Sequence, residues 1–93
     1  MHYALVYELV DDYIERRAAL REEHLALARA ASDRGDLLLG GAFADPPDRA
    51  LLVWDVDDPA AIQQFVDADP YVAHGLVRSH EIRPWTVVVG SAT

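Results

Sequence analysis

Tyr3-Ala4-Leu5-Val6-Tyr7-Glu8-Leu9-Val10 is the stretch from which the fold can be read outward. In an extended chain, Tyr3, Leu5, Tyr7 and Leu9 fall on one face and Ala4, Val6, Glu8 and Val10 on the other. Both faces are largely apolar, as in a strand covered on both sides. Asp11-Asp12 ends the pattern. Asp12 followed by Glu15 has the form of a helix start, and Ala, Leu, Arg and Glu then dominate up to Gly35, a natural C-terminal stop. One helix of about 22 residues, roughly 33 Å long, is expected here.

The rest of the chain completes an alternating order. Leu37 to Phe43 reads as a second strand, with Gly40-Gly41 suggesting a bulge or the close approach of another group. Ala44-Asp45-Pro46-Pro47-Asp48 is a turn cluster, so Ala50 to Val56 makes a hairpin with it. Asp58-Pro59 opens a helix whose Ile62, Phe65 and Val66 share one face. Asp69-Pro70 repeats the start signal, and Gly75 closes a short helical turn. Ser79 to Val89 reads as the last strand, on which Pro84 argues for an edge position or a bend. The order β-α-β-β-α-β predicts an α+β, ferredoxin-like fold over residues 1–93. Four antiparallel strands then carry both main helices on one face.

Composition bounds the function. The 93 residues include eight arginines, no lysine and no cysteine, against 16 acidic residues, for a net charge of −8. Disulfides, thiol nucleophiles, thiolate metal sites and Schiff-base chemistry are excluded. An acidic surface disfavours nucleic acid as a partner. No apolar run reaches membrane-spanning length, and the opening has neither a basic segment nor a small-residue cleavage site, so a cytoplasmic protein is expected. The helix-free face of an apolar strand needs cover, which predicts a homodimer through the sheet.

Few residues are suited to chemistry. On a helical wheel His24 lies with Tyr13, Arg17, Leu20, Arg21, Leu27, Ala28 and Ala31, on the side expected to face the sheet, while Glu15, Glu22, Ala26, Arg29 and Asp33 lie opposite. His24 reads either as a core histidine bonded to backbone or as a site residue, and two arginines on its stripe, which call for an anionic partner, favour the second. Asp69 reads first as a helix cap. A capping carboxylate has a second oxygen free, and an imidazole bonded to it becomes a better base at its other nitrogen. Asp55, Asp57 and Asp58 match no calcium loop. No His-x-His or His-x₃-His pair exists, so no metal site is expected, and nothing calls for a cofactor. Ser32, Ser79 and Ser91 lack a nucleophile's context.

Taken together, Met1-His2-Tyr3-Ala4, Arg21-Glu22-Glu23-His24-Leu25, Gly35-Asp36-Leu37-Leu38-Leu39-Gly40-Gly41 and Ala68-Asp69-Pro70-Tyr71-Val72-Ala73-His74-Gly75-Leu76 resemble the YCII-related (YciI-like) family, as does the ending Glu81-Ile82-Arg83-Pro84-Trp85. The resemblance covers nearly the whole chain. It implies a ferredoxin-like fold that dimerises into an α/β barrel, and a site centred on a histidine and an aspartate that match His24 and Asp69. It also implies a kinship with lyases of chlorinated aromatic breakdown and, among related dimeric barrels, with muconolactone isomerases and small monooxygenases. The expected activity is proton transfer on a small anionic or phenolic metabolite. His24 would serve as acid or base and Asp69 as its orienting partner. Arg21 would bind the anion, Gly41 would admit the ligand to the backbone, and Tyr71 would line the cleft. The alternative is a non-catalytic dimeric module that binds a ligand or a protein.

Overall fold

A computed structural model describes residues 1–90 of the chain; Ser91 lies outside the described residues. Strand β1 (His2–Leu9) is central, and the sheet order is β2-β3-β1-β4, with every pairing antiparallel. Strands β2 (Leu37–Ala42) and β3 (Arg49–Asp55) form the expected hairpin, and β4 (Val77–Trp85) is the other edge. Leu5, Tyr7 and Leu9 of β1 share one buried cluster with Ala50, Leu52 and Trp54 of β3 and with the inward residues of every helix. Both main helices therefore cover one face of the sheet. Val53, buried on the other face in register with Ala4, is not part of that cluster. Among the described residues no helix is long and apolar enough to cross a membrane.

The expected long first helix is two helices, α1 (Tyr13–Arg17) and α2 (Arg21–Asp33). Ala18-Ala19-Leu20 contains no residue that breaks a helix, so the interruption is imposed by packing rather than propensity. Between the helices the Leu20 amide bonds the Arg17 carbonyl, three residues back, at 2.9 Å. On one side of this turn α1 is fastened by Tyr13, edge-on to Tyr71, and by Arg16, which donates to the His74 carbonyl at 2.9 Å. On the other side α2 packs toward β2. The expected Asp12 cap is also absent: its side chain makes no capping bond and faces Arg16 at 3.7 Å instead.

Three local signals are where the residues place them. Gly35 and Gly75 take left-handed φ values of +84° and +78° at the ends of α2 and of α4 (Pro70–Ala73). Asp58 accepts the Ala60 amide at 2.9 Å at the head of α3 (Ala60–Ala68), whose Ile62, Phe65 and Val66 are all buried. Two strand limits differ from expectation. The irregularity in β2 lies between Leu37 and Leu39, ahead of the glycines, with Leu38 as the extra residue. Strand β4 ends at Trp85 because its partner β1 ends at His2, opposite Trp85, so Val87 and Val89 lie beyond the strand. Pro84, on an edge strand, leaves no ladder bond unmet inside the sheet.

The docking of α3 rests on Ile62, which has no exposed surface. Replacing it with Ala is expected to lower unfolding free energy by about 2–5 kcal/mol in a urea titration, the range for a large buried aliphatic cut back to methyl. A loss below about 1 kcal/mol would mean that α3 is not held on the sheet in this way.

Candidate active site

Asp69 sits between α3 and α4 with an extended backbone (φ −72°, ψ 119°), the shape of a capping residue. Pro70 follows at the first helical position, where its missing N–H is harmless. The Asp69 side chain has no exposed surface, and three groups donate to it. The Tyr71 amide reaches Oδ1 at 3.0 Å, His24 Nδ1 reaches the same oxygen at 2.8 Å, and the Tyr7 hydroxyl reaches Oδ2 at 2.8 Å. The cap and the histidine contact thus share one oxygen, while the second holds a tyrosine from the middle of β1.

This arrangement sets the state of His24. An oxygen that accepts from an amide N–H also faces Nδ1, so Nδ1 carries the ring proton and donates it. Nε2 is then the basic nitrogen, and it makes no hydrogen bond among the described residues. The ring is fixed in plane as well as in tautomer. It stacks on Tyr71 with centroids 3.8 Å apart and planes 10° from parallel, and Phe65 meets it edge-on at 6.3 Å. The His24 side chain keeps 14% of its surface exposed, opening into a cleft of about 420 Å³.

The cleft lies between α2 and the β2–β3 hairpin. Arg21, His24, Gly41 and Tyr71, all expected at the site, line it, while Asp69 stands behind His24 and Tyr71. The two glycines of β2 have different surroundings. The extra residue at Leu38 reverses the facing of the rest of β2, so Gly40 is the glycine paired with Leu52 on the helix side, and a Cβ at Gly40 would meet Leu52 at 3.4 Å. Gly41 pairs with Leu51 and borders the cleft from the strand edge.

Four lining residues escaped the sequence reading. Tyr7 looked like an ordinary core residue, although a buried tyrosine hydroxyl needs a partner and so points to one. Arg17 was placed on the His24 stripe without a role; its guanidinium lies 5.4 Å from the centre of the Tyr13 ring. Arg29 was placed on the helix's opposite, polar side, yet it lines the cleft, as does Ser32. The cleft-facing stripe of α2 is centred about 70° round from His24 at 100° per residue, because Leu27 and Ala31, two of the residues that pack α2 on the core, lie on the other side of His24. The remaining candidates are engaged elsewhere: Asp55 lies 3.3 Å from the N-terminal amine, and Ser79 donates to Glu8 at 3.3 Å. Among the described residues no group of His, Asp and Glu is arranged to hold a metal ion.

With the geometry in place, comparison with known proteins settles the lineage. The sequence pattern of the YCII-related domain matches residues 1–86. The chain belongs to the YCII-related domain family. Protein YciI of Escherichia coli O6:H1 and Protein YciI of Shigella flexneri are each 29% identical to this YCII-related chain over 97 residues, covering 95% of it and 99% of themselves. Among solved structures, the fold is similar to 5-chloro-2-hydroxyhydroquinone dehydrochlorinase (TftG) from Burkholderia phenoliruptrix, in complex with 2,5-dihydroxybenzoquinone. The TM-score is 0.78 at 16% identity, over 92% of this chain and 94% of that one. A NIPSNAP family protein from Agrobacterium tumefaciens has a TM-score of 0.55 at 19% identity, over 88% and 87% of the two chains. These likenesses establish the ferredoxin-like fold.

The tyrosines of the YCII-related site report on its electrostatics. Burial, then the Asp69 charge and its hydrogen bond, hold the Tyr7 phenol far above the usual tyrosine range. Burial and the neighbouring Tyr13 push Tyr71 from 10.0 up to about 12, against the opposing pull of Arg21 and Arg17. Both groups are raised, so the folded state keeps protons that the unfolded chain gives up. Stability from this source is complete below pH 10 and is lost as pH rises toward 12. Spectrophotometric titration of phenolate absorbance is expected to show a late component near pH 12 that Tyr71→Phe removes, with alkaline unfolding beginning above pH 10. A Tyr71→Phe curve that superimposes on wild type would contradict this.

Proposed function

We propose that this protein is a small cytoplasmic enzyme that moves a proton on a small anionic or phenolic metabolite, with lyase or isomerase chemistry. The observation that carries the reading is the state of His24. A wholly buried carboxylate fixes its Nδ1 at 2.8 Å, while the ring opens into a cleft lined by Arg21 and its neighbours. A histidine needed only for packing gains nothing from a free Nε2 in a cleft.

The reaction follows from those parts. The ligand's acid group pairs with Arg21, and its ring lies along the wall that Tyr71 and His24 form. Nε2 takes a proton from carbon or oxygen of the ligand. Asp69, already hydrogen-bonded to Nδ1, stabilises the imidazolium that results. The electron pair left on the ligand then shifts along its unsaturated frame. Either it expels a leaving group, which is elimination, or Nε2 returns the proton at another atom, which is isomerisation. The dehydrochlorinase of similar fold supports the first outcome as a chemistry that this architecture accommodates.

Dimerisation is part of the proposal. The helix-free face presents Ala4, Val6, Leu51 and Val53 in adjacent registers, flanked by Trp85, 43% exposed, and Leu39, 71% exposed. Such an apolar face is suited to a second copy of itself. Light scattering at micromolar concentration is expected to give twice the 10.3 kDa chain mass; a monomer mass would count against the proposed pairing.

Asn caps a helix nearly as well as Asp but neither stabilises an imidazolium nor enforces the same tautomer. Asp69→Asn is therefore expected to melt close to wild type while losing its response to ligands. His24→Ala is expected to lose that response too, with a lower melting temperature because the buried Asp69 oxygen loses a donor, both variants read in a thermal-shift screen of hydroxyquinones and aromatic acids. Large, equal losses of stability in the two variants, with ligand response intact in what remains folded, would instead make His24 and Asp69 a scaffold and the protein a binding module.

A further inference from the structure

Four of the eight arginines face a carboxylate: Arg16 with Asp12 at 3.7 Å, Arg34 with Asp36 at 3.2 Å, Arg78 with Asp11 at 3.1 Å and Arg83 with Glu81 at 3.8 Å. Three of the other four, Arg17, Arg21 and Arg29, line the His24 cleft, and none of them has an ion-pair partner among the described residues. The chain has 16 acidic residues, and no Asp or Glu lines the cleft. In a protein of net charge −8, three uncompensated guanidiniums around one concavity make a local field of the opposite sign to the whole.

The three arginines are not one cluster. Along the cleft-facing stripe of α2, Arg21 comes one turn before His24, and Arg29 comes two turns after Arg21. A rise of 1.5 Å per residue puts their Cα atoms about 12 Å apart. Arg17 belongs with Arg21: its guanidinium lies 5.4 Å from the Tyr13 ring, Tyr13 meets Tyr71 edge-on, and Tyr71 stacks on His24, one turn from Arg21. Arg29 stands with Ser32 at the other end. Between the two poles the lining is apolar: Leu25 and Ala28 on the helix, Leu52 on the sheet. A single small monoanion would occupy one pole and leave the other empty.

We infer that the cleft selects a flat or extended dianion with an acid group at each end and an apolar body. One acid group is held by Arg17 and Arg21 beside His24, the other by Arg29, with Ser32 as an added donor. The ligand class is an aromatic or unsaturated dicarboxylic acid. This rests on the reading of the His24 cleft as the binding site. Arg29 would set specificity without touching the reacting atoms.

Three probes separate charge from span. Benzoate carries one carboxylate, phthalate two adjacent ones, and terephthalate two at opposite ends of the ring. By isothermal titration calorimetry at neutral pH and low salt, terephthalate is expected to bind about tenfold or more tighter than either of the others, the worth of one further charge-assisted bond. Arg29→Gln is expected to bring terephthalate down to the benzoate level and leave benzoate unchanged. Arg21→Gln is expected to weaken all three. Both arginines are exposed, so both variants should melt near wild type. Equal affinity for phthalate and terephthalate, or an Arg29→Gln effect shared by benzoate, would overturn the dianion while leaving an Arg21-dependent benzoate site, and with it the proposed function, in place. Failure of all three to bind, or binding that Arg21→Gln does not touch, would overturn the cleft as an anion site altogether.

Discussion

A carboxylate with no contact with water has to be satisfied by the protein, and Asp69 is satisfied by three separate elements at once. Tyr7 comes from the central strand, His24 from α2 and the Tyr71 amide from α4. Each is a donor whose own burial would be costly if Asp69 were removed, by about 1–3 kcal/mol per orphaned group. Strand, helix and turn are therefore brought together by one side chain, and they can be satisfied together in few arrangements. The break in the first helix makes sense beside this constraint. Arg16 ties α1 to the α4–β4 junction, and α2 is set by His24. A straight helix through Ala18-Ala19-Leu20 would have to meet both demands with a single axis.

The cleft owes its existence to small side chains on facing elements. Ala28 on α2 lies across from Gly40 and Ala42 on β2 and Ala50 on β3. Larger residues at these positions would let α2 and the hairpin close over one another as they do around Ala31 and Leu37, both buried. The extra residue at Leu38 is essential to this. Leu37 fills the core on the near side of it, and beyond it the same face of β2 carries only Gly40 and Ala42. The empty volume thus begins where the strand changes its facing, on the side of His24 that lies away from the docking residues Leu27 and Ala31.

Much of this was legible because it rests on local chemistry. Asp58-Pro59 and Asp69-Pro70 start α3 and α4 for reasons contained in four residues, and Gly35 and Gly75 follow the ends of α2 and α4 by adopting backbone angles that other residues avoid. The alternation in β1 revealed a central strand with two apolar faces, and Pro84 marked an edge. The features that could not be read depend on contacts between distant segments. Nothing in Ala18-Ala19-Leu20 disfavours a helix, and Leu38 has no feature that marks it as the extra residue of a bulge. The wheel centred on His24 assumed that the histidine faces the middle of the sheet. In fact it stands at the border between the docked side of α2 and the open one, so Arg29 was assigned to the wrong side. Tyr7 was found on the correct face, but alternation reports burial and is silent about where a hydroxyl bonds.

The two kinds of polar group at the site oppose each other in a way that explains its layout. Among the described residues Asp69 is the only buried acidic side chain, and the stacked rings of His24 and Tyr71 stand between it and the cleft that the arginines line. Were the carboxylate to line the cleft, Arg17 and Arg21 would pair with it, as Arg16, Arg34, Arg78 and Arg83 pair with carboxylates elsewhere. The anion site would then be filled by the protein itself. Placed behind the rings, Asp69 acts on the ligand only through His24 Nδ1, and the guanidiniums remain unmatched. The aromatic wall therefore keeps two charges of opposite sign near one imidazole without letting them neutralise each other. Holding His24 Nδ1 on a carboxylate and attracting an anion beside the same ring are competing demands, and the stack of His24 on Tyr71 allows one fold to meet both.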